Sequence, residues 1–128
     1  MAPLESLSLG RIGQIAVNAH DLPRAVQFYR ETLGMRFLFE VPGMAFFDCA
    51  GIRLMLGLPS APAFDHPASI LYYRVDDIQA AHRTLVERGV TFHEPPHVAA
   101  RLPDHELWLA FFRDTEKNVL ALMSEVHP

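Results

Sequence analysis

A chain of 128 residues, half of them hydrophobic and a fifth charged, has the size and composition of one folded domain over residues 1–128. Its net charge of −4 and its lack of a Lys/Arg cluster argue against nucleic acid as a partner, and no apolar run approaches the roughly 20 residues that span a membrane. The N-terminus lacks a basic segment followed by an apolar one, and the single cysteine, Cys49, excludes an internal disulfide. We therefore expect a cytoplasmic location.

The first half of the chain reads as a strand, a helix and three strands. Residues 1–10 are expected to form a loose leader, and alternating apolar residues predict a strand over 12–18. Asp21 suits the N-cap of a helix, and Gly34 suits the left-handed position that follows a helix. Short strands are predicted over 35–40, 44–49 and 52–57, separated by Pro-Gly and Ala-Gly turns.

The second half repeats this order after a proline-rich linker over residues 58–67. A strand over 70–75 precedes Asp77, the N-cap of a second helix that ends at Gly89. A strand then begins at 90–93, and residues 94–104, with three prolines, are expected to form a long loop. Two final strands are predicted over 105–113 and 118–125.

The two halves can be aligned on their N-cap aspartates. Placing Asp21 on Asp77 brings the two helix-ending glycines within one position of each other. The alignment predicts two βαβββ modules, over residues 11–57 and 68–125, and thus an α+β fold.

The residues that carry this repeat also resemble a known family. Its signatures are the segments Asp21-Leu22, Phe28-Tyr29 and Leu33-Gly34, the run Val75-Asp76-Asp77-Ile78, and Phe112-Arg113-Asp114 followed by Asn118-Val119-Leu120. The chain resembles the vicinal oxygen chelate superfamily, which includes glyoxalase I, bleomycin resistance proteins and extradiol dioxygenases. The resemblance implies that the two modules form a curled mixed sheet, a cup with helices outside and ligand inside. Members often pair as homodimers, so it also implies a homodimer as a candidate assembly.

The alternation of the strands assigns side chains to the two sheet faces. If helices cover one face, polar residues should collect on the other. Ile15, Val17, Leu54, Leu56, Leu71, Tyr73, Val75, Leu107, Leu109, Phe111, Leu120 and Leu122 form the expected helix-facing set. Within the cup we expect ligand-binding roles for Gln14, Asn18, Phe47, Arg53, Met55, Tyr72, Arg74, Trp108 and Phe112. The arginines suit a ligand carboxylate or phosphate, and the aromatic side chains suit a flat or apolar ligand, although core packing explains them equally well.

Metal-dependent members of the family hold one divalent ion with His, Gln or Glu from the first and fourth strands of each module. Carried over by motif spacing, these positions are Gln14, Met55, Ile70 and Ala121. Isoleucine and alanine have no donor atoms, and a thioether suits Cu(I) rather than Zn²⁺, Mn²⁺ or Fe²⁺. The resemblance therefore implies that the family's metal site is lost, and neither a metal nor another cofactor is expected.

Acid–base residues and histidines leave an enzymatic alternative open. Glu106, expected on the inner face opposite Arg53 or Arg74, is a candidate general base, and an ion pair at the rim is the simpler explanation. His93, His97 and His105 surround the predicted loop, where a displaced metal is the alternative to solvated side chains. His105 is accordingly the second candidate catalytic residue.

The sequence thus leads to two hypotheses. The first is a metal-independent protein that binds a small organic molecule in the cup, as metal-free bleomycin-binding relatives do. The alternative is a glyoxalase-like lyase, isomerase or dioxygenase that uses a displaced metal or a Glu/His acid–base pair.

Overall fold

The computed structural model describes residues 7–128. The leader expected over residues 1–10 therefore lies partly outside the described residues. The strands are β1 (Gln14–Asn18), β2 (Arg36–Val41), β3 (Met44–Cys49), β4 (Ile52–Gly57), β5 (Leu71–Arg74), β6 (Phe92–Arg101), β7 (Glu106–Arg113) and β8 (Val119–Val126). The helices are α1 (Leu22–Gln27), which continues as a wider π-helical turn over Phe28–Thr32, and α2 (Ile78–Glu87). A short 3₁₀ helix, Pro62–Phe64, lies in the linker.

The strands form two four-stranded mixed sheets with the same order, β1-β4-β3-β2 and β5-β8-β7-β6. In each sheet the first strand is parallel to the fourth, and the remaining neighbours are antiparallel. The sheets are open rather than closed into a barrel. The expected α+β fold of two βαβββ units is confirmed.

Both helices begin and end where the sequence predicts. The Asp21 and Asp77 side chains accept hydrogen bonds from the backbone N–H groups three residues later, at 3.2 and 3.0 Å. Gly34 and Gly89 have φ angles of +71° and +93°, which residues with a Cβ adopt only at a cost.

The core is one continuous cluster between the helices and the sheet faces they cover. Its buried members come from both modules and include Val17, Leu22, Tyr29, Phe47, Leu54, Leu56, Ile78, Leu85, Phe112, Leu120 and Leu122. The helix-facing positions predicted for β1, β4, β5 and β8 are confirmed, since each is buried or packs against this cluster. The opposite surface of each sheet, called the open face below, is only partly covered.

The prediction of a long loop over residues 94–104 is wrong, because β6 continues to Arg101. β6 is an edge strand of its sheet, and within residues 7–128 its one partner strand is β7. An edge strand tolerates proline, whose missing N–H need not face a partner. Irregular register between Glu94 and His97 accommodates Pro95 and Pro96 without ending the strand.

The turn between β7 and β8 fastens the second module to the first through a buried carboxylate. Asp114 accepts hydrogen bonds from the Tyr29 hydroxyl at 2.8 Å, from the backbone N–H groups of Glu116 and Asn118 at 2.8 and 2.9 Å, and from the Asn118 amide at 2.9 Å. The Asn118 amide also donates to the backbone oxygen of Asn18 at 3.2 Å. These bonds hold the start of β8 against α1 and the end of β1.

A second contact of the same turn holds the beginning of α1. Glu116 accepts hydrogen bonds from the Asp21 N–H at 3.0 Å and from the Arg24 guanidinium at 2.9 and 3.1 Å. Burial raises the pKa of the Glu116 carboxyl, but the donors from Asp21, Arg24 and Thr115 outweigh burial and hold the pKa below its ordinary value.

No helix within residues 7–128 has the length and apolar character needed to cross a bilayer.

The two tyrosines with buried hydroxyls, Tyr29 and Tyr73, provide a matched test of the contact between the modules. Tyr29→Phe should lower the free energy of unfolding by about 1–3 kcal/mol, because a buried carboxylate loses a donor. Tyr73→Phe should leave it unchanged or raise it, because the Tyr73 hydroxyl is buried without a hydrogen-bond partner among the described residues. Urea denaturation of both variants measures the difference. Equal effects of the two substitutions would contradict the assigned role of Asp114.

Glu116 should make the stability of the fold depend on pH in the acid range. A carboxyl whose pKa is lower in the folded state stabilises the fold fully above its ordinary pKa of 4.5, and this stabilisation is lost as the pH falls through the folded value. Thermal unfolding of the native chain should therefore shift to lower temperature as the pH falls below about 4.5. Glu116→Gln should flatten this dependence, whereas Glu87→Gln, at an exposed position of α2, should preserve it.

Candidate functional site

The open face of the first sheet combines sulfur, aromatic and polar side chains. Phe46 of β3 pairs in register with Met55 of β4. The Gln14 amide nitrogen lies 3.8 Å from the Met55 sulfur, and the Arg53 guanidinium lies 5.9 Å from the centre of the Phe46 ring. Gln14 and Arg53 are exposed, and Met55 and Phe46 are half-buried. Three predicted ligand-binding residues, Gln14, Arg53 and Met55, are thus brought together.

The open face of the second sheet is more apolar. Tyr72 of β5, 48% exposed, packs edge-on against Phe111 of β7 with 6.0 Å between ring centres. Ala121 lies between them in register, and Met123 lies beside Arg74. The Arg74 guanidinium is 3.1 Å from Glu125. Tyr72 and Arg74 therefore lie on the open face as predicted, with Arg74 already paired.

Asn18, predicted to bind ligand, instead forms hydrogen bonds to the linker. Its amide nitrogen donates to the backbone oxygens of Phe64 and His66. These bonds fold the linker over the end of β1 and β4, where a cavity of about 200 Å³ remains. The cavity is lined by Ala16 and Met55 of the open face and by linker residues such as Leu58.

The expectation that Phe47, Trp108 and Phe112 face the cup is wrong. Phe47 and Phe112 are fully buried among the helix-facing residues, and Trp108 packs against the same core. The register pairs Phe112 with Leu120, so both lie on the helix-facing side of the sheet. Since β7 is apolar on both faces, its alternation carries no signal that distinguishes them. Leu107, Leu109 and Phe111, expected under the helices, occupy the open face instead.

Glu106 lies at the end of the β6–β7 hairpin. By alternation along β7 it is on the same side of the strand as Trp108 and Phe112, so its expected position on the inner face is wrong. It accepts hydrogen bonds from the Trp108 indole N–H and from Arg101, both at 3.2 Å. The expected position opposite Arg53 or Arg74 is therefore wrong, since Arg101 is the partner. These contacts are those of an ion pair that shapes the hairpin end.

The four family metal positions do not form a ligand set. Gln14 and Met55 are neighbours, but Ile70 precedes β5 with its side chain 44% exposed, and Ala121 is fully buried. Together they offer one amide oxygen and one thioether sulfur, which do not suit a hard or borderline divalent ion. The residues present do not fit the family's metal, and no step of chemistry is assigned to it.

The histidines around β6 do not converge as a group. His93 and His97 lie in the strand, where His97 pairs with Leu109 and its ring centre lies 6.5 Å from that of Phe111. His105 instead lies beside Asp104 and the ring of His127, 5.4 Å away between centres. Among the described residues, Asp104, His105 and His127 form the cluster with metal-ligating potential.

A second cavity, of about 430 Å³, lies on the helix-facing side between the two modules. Its walls include Leu33, Met35, Tyr73, Leu85 and the thiol-bearing Cys49. Burial, reinforced by Asp48, raises the pKa of the Cys49 thiol, and burial likewise raises the pKa of Tyr73. Both groups are therefore neutral near pH 7 and are poor nucleophiles.

Sequence reasoning missed Phe46 and Phe111 on the open faces and His127 in the cluster. Phe46 and Phe47 are adjacent and chemically alike, so pattern alone does not show which of them is buried. The register decides between them, since Phe47 pairs with Leu54, which lies under the helices, and this register is visible only in the structure.

Comparison with known proteins places the chain in a family. The family model described as Glyoxalase/Bleomycin resistance protein/Dioxygenase superfamily matches residues 11–122. No curated protein matches the chain.

Three solved structures illustrate the likeness. An antibiotic binding protein from Streptomyces sp. CB03234 is 26% identical, with 93% of this chain and 98% of that one covered and a TM-score of 0.75. A superfamily member from Sphaerobacter thermophilus is 29% identical, with 93% and 100% covered and a TM-score of 0.72. A lactoylglutathione lyase from Agrobacterium tumefaciens is 21% identical, with 91% and 95% covered and a TM-score of 0.73, which shows a shared fold.

The two modules, their common strand order and the family match over residues 11–122 lead to one conclusion: the chain belongs to the glyoxalase/bleomycin resistance protein/dioxygenase superfamily.

Proposed function

We propose that the protein binds a small organic molecule with a flat apolar part on the open sheet faces, without a metal ion. The observation that carries the proposal is that these faces combine accessible apolar side chains with family metal positions that lack metal-binding donors. Aromatic and sulfur side chains, among them Phe46, Met55 and Tyr72, are accessible there. The family metal positions among them lack the donors that metal-dependent chemistry needs.

The chemistry of the open faces indicates the class of ligand. Aromatic rings and a thioether bind planar apolar groups through dispersion and ring stacking. Arg53 lies over the Phe46 ring and takes part in none of the ion pairs found among residues 7–128. A guanidinium in this setting suits a carboxylate or another planar oxyanion of the ligand. The ligand class is therefore an aromatic or polycyclic molecule with an acidic group.

One of the similar structures supports binding. The 26% identical neighbour from Streptomyces is described as an antibiotic binding protein, which agrees with a site for a small organic molecule. The alternative, a glyoxalase-like lyase, isomerase or dioxygenase, requires either a displaced metal, because a Lewis acid must stabilise the charge that develops, or a Glu/His acid–base pair. Glu106, the candidate base, is already paired with Arg101. The expected cytoplasmic location and homodimer stay predictions.

The test uses 1-anilinonaphthalene-8-sulfonate, an aromatic anion whose fluorescence rises in apolar surroundings. Protein treated with EDTA should bind the probe saturably. Tyr72→Ser should weaken binding about fivefold, since an aromatic contact contributes roughly 1 kcal/mol. Arg53→Gln should weaken probe binding by more than Tyr72→Ser does, and it should make the affinity less sensitive to salt. Fluorescence titration at fixed ionic strength measures both effects.

Val86→Ser provides the matched control, because Val86 is equally exposed, at 47%, but lies on α2. It should leave probe affinity unchanged. Loss of binding on metal removal, or equal affinities for the native chain and the Tyr72→Ser and Arg53→Gln variants, would refute metal-free binding on the open faces.

A further inference from the structure

At one end of the second sheet, the pairing of β7 with β8 brings together the two histidines that flank this hairpin. β7 and β8 pair antiparallel, with Glu106 opposite Val126. The residue before Glu106 and the residue after Val126 are His105 and His127, so the register itself places them side by side. The turn before β7 is closed by a hydrogen bond from the Leu102 N–H to the His105 oxygen at 2.8 Å, which positions Asp104 beside the two rings.

The three side chains are close enough to share one ion. One ligand atom from each of Asp104, His105 and His127 lies within 4.8 Å of the others. Bonds of about 2.0–2.2 Å in a tetrahedral zinc site separate neighbouring ligand atoms by roughly 3.4 Å. Small side-chain rotations therefore suffice to close the set. A depression of about 380 Å³ adjoins it, lined by residues that include Pro103 and Val126.

The electrostatics of the cluster favour a cation. The Asp104 carboxylate supplies the negative charge of the cluster, and it is exposed while one of its oxygens lies 2.8 Å from the His105 Nδ1 atom. The Arg101 guanidinium, which lines the same depression, is paired with Glu106 at 3.2 Å. His105 is only 17% exposed, which limits the freedom that its ring loses when it binds.

We propose that Asp104, His105 and His127 form a binding site for a borderline divalent transition-metal ion, with zinc the best match to their chemistry. Two imidazole nitrogens and one carboxylate oxygen are zinc ligands, whereas Ca²⁺ and Mg²⁺ prefer oxygen alone. Three protein ligands leave the fourth position open to water or to an outside ligand. The site binds the metal ion alone, and no reaction is assigned to it.

This site lies at the end of the second sheet, away from the aromatic residues proposed to bind the small molecule. Ala121 and Val126 are five residues apart on β8, which corresponds to about 17 Å along a strand. Failure of the metal-site proposal would therefore not affect the metal-free binding proposed for the open faces, and the reverse also holds.

The test is a calorimetric titration of Zn²⁺ into the full chain, prepared without a histidine tag and stripped with EDTA. One equivalent should bind per chain. His127→Ala should weaken binding at least about tenfold, since it removes a direct ligand and loss of even an outer-shell partner costs 10–100-fold. His66→Ala should leave the affinity unchanged, because His66 is an exposed linker residue outside the cluster.

A second measurement reports position as well as affinity. The chain has a single tryptophan, Trp108, whose indole N–H donates to Glu106, the residue after His105. Paramagnetic Co²⁺ should quench its fluorescence with saturation at one equivalent, and His127→Ala should abolish this saturation. Lack of saturable Zn²⁺ binding by the native chain, or equal Zn²⁺ affinity in the native, His127→Ala and His66→Ala proteins, would overturn the proposal.

Discussion

The hydrogen bonds that surround the Asp114 carboxylate are the contact on which the arrangement of the two modules depends. A buried charge is costly unless donors replace the water it loses. Here one donor, the Tyr29 hydroxyl, comes from the first module, and three come from the β7–β8 turn itself. Satisfying the carboxylate therefore requires that α1 and the turn be held together.

This contact also gives a structural role to Asp114 and Asn118 of the Phe112–Leu120 segment. Asp114 and Asn118 are four residues apart at the two ends of one turn, and Asn118 bonds back to Asp114 while also reaching Asn18 and the Ala68 N–H. The β7–β8 turn thus sets where β8 begins. Because side chains alternate along a strand, the starting residue of β8 determines which of its residues lie on each sheet face. The hydrogen bonds of Asp114, on the helix-facing side, therefore also determine the composition of the open face.

Strand alternation then creates two environments from adjacent residues. Tyr72 lies on the open face, 48% exposed, whereas the Tyr73 hydroxyl is buried beside the helix-side cavity. The same residue type is a candidate ligand contact at position 72 and carries a buried hydroxyl without a hydrogen-bond partner among the described residues at position 73. Function is therefore assigned here by register, and residue type alone does not decide it.

The sequence predicted the repeat, the helix ends and most of the sheet faces because each has a local cause. Asp21 and Asp77 cap helices through their own side chains, and Leu54 and Leu56 alternate with polar or sulfur-bearing neighbours. Prediction failed where the cause is not local. The uniform hydrophobicity of β7 conceals its orientation. Pro95 and Pro96 are tolerated because β6 is an edge strand with irregular register at that point. His127 meets His105 through the pairing of β7 with β8.

The central claim is that ligand binds the open faces without metal, and the methionine methyl groups test it most directly. Met55 and Met123 lie on the open faces, whereas Met35 lines the helix-side cavity. NMR spectra of methyl-labelled, EDTA-treated protein titrated with 1-anilinonaphthalene-8-sulfonate should show shifts at Met55 or Met123, with Met35 unchanged. Shifts confined to Met35, or shifts that appear only after a divalent metal is added, would contradict the account.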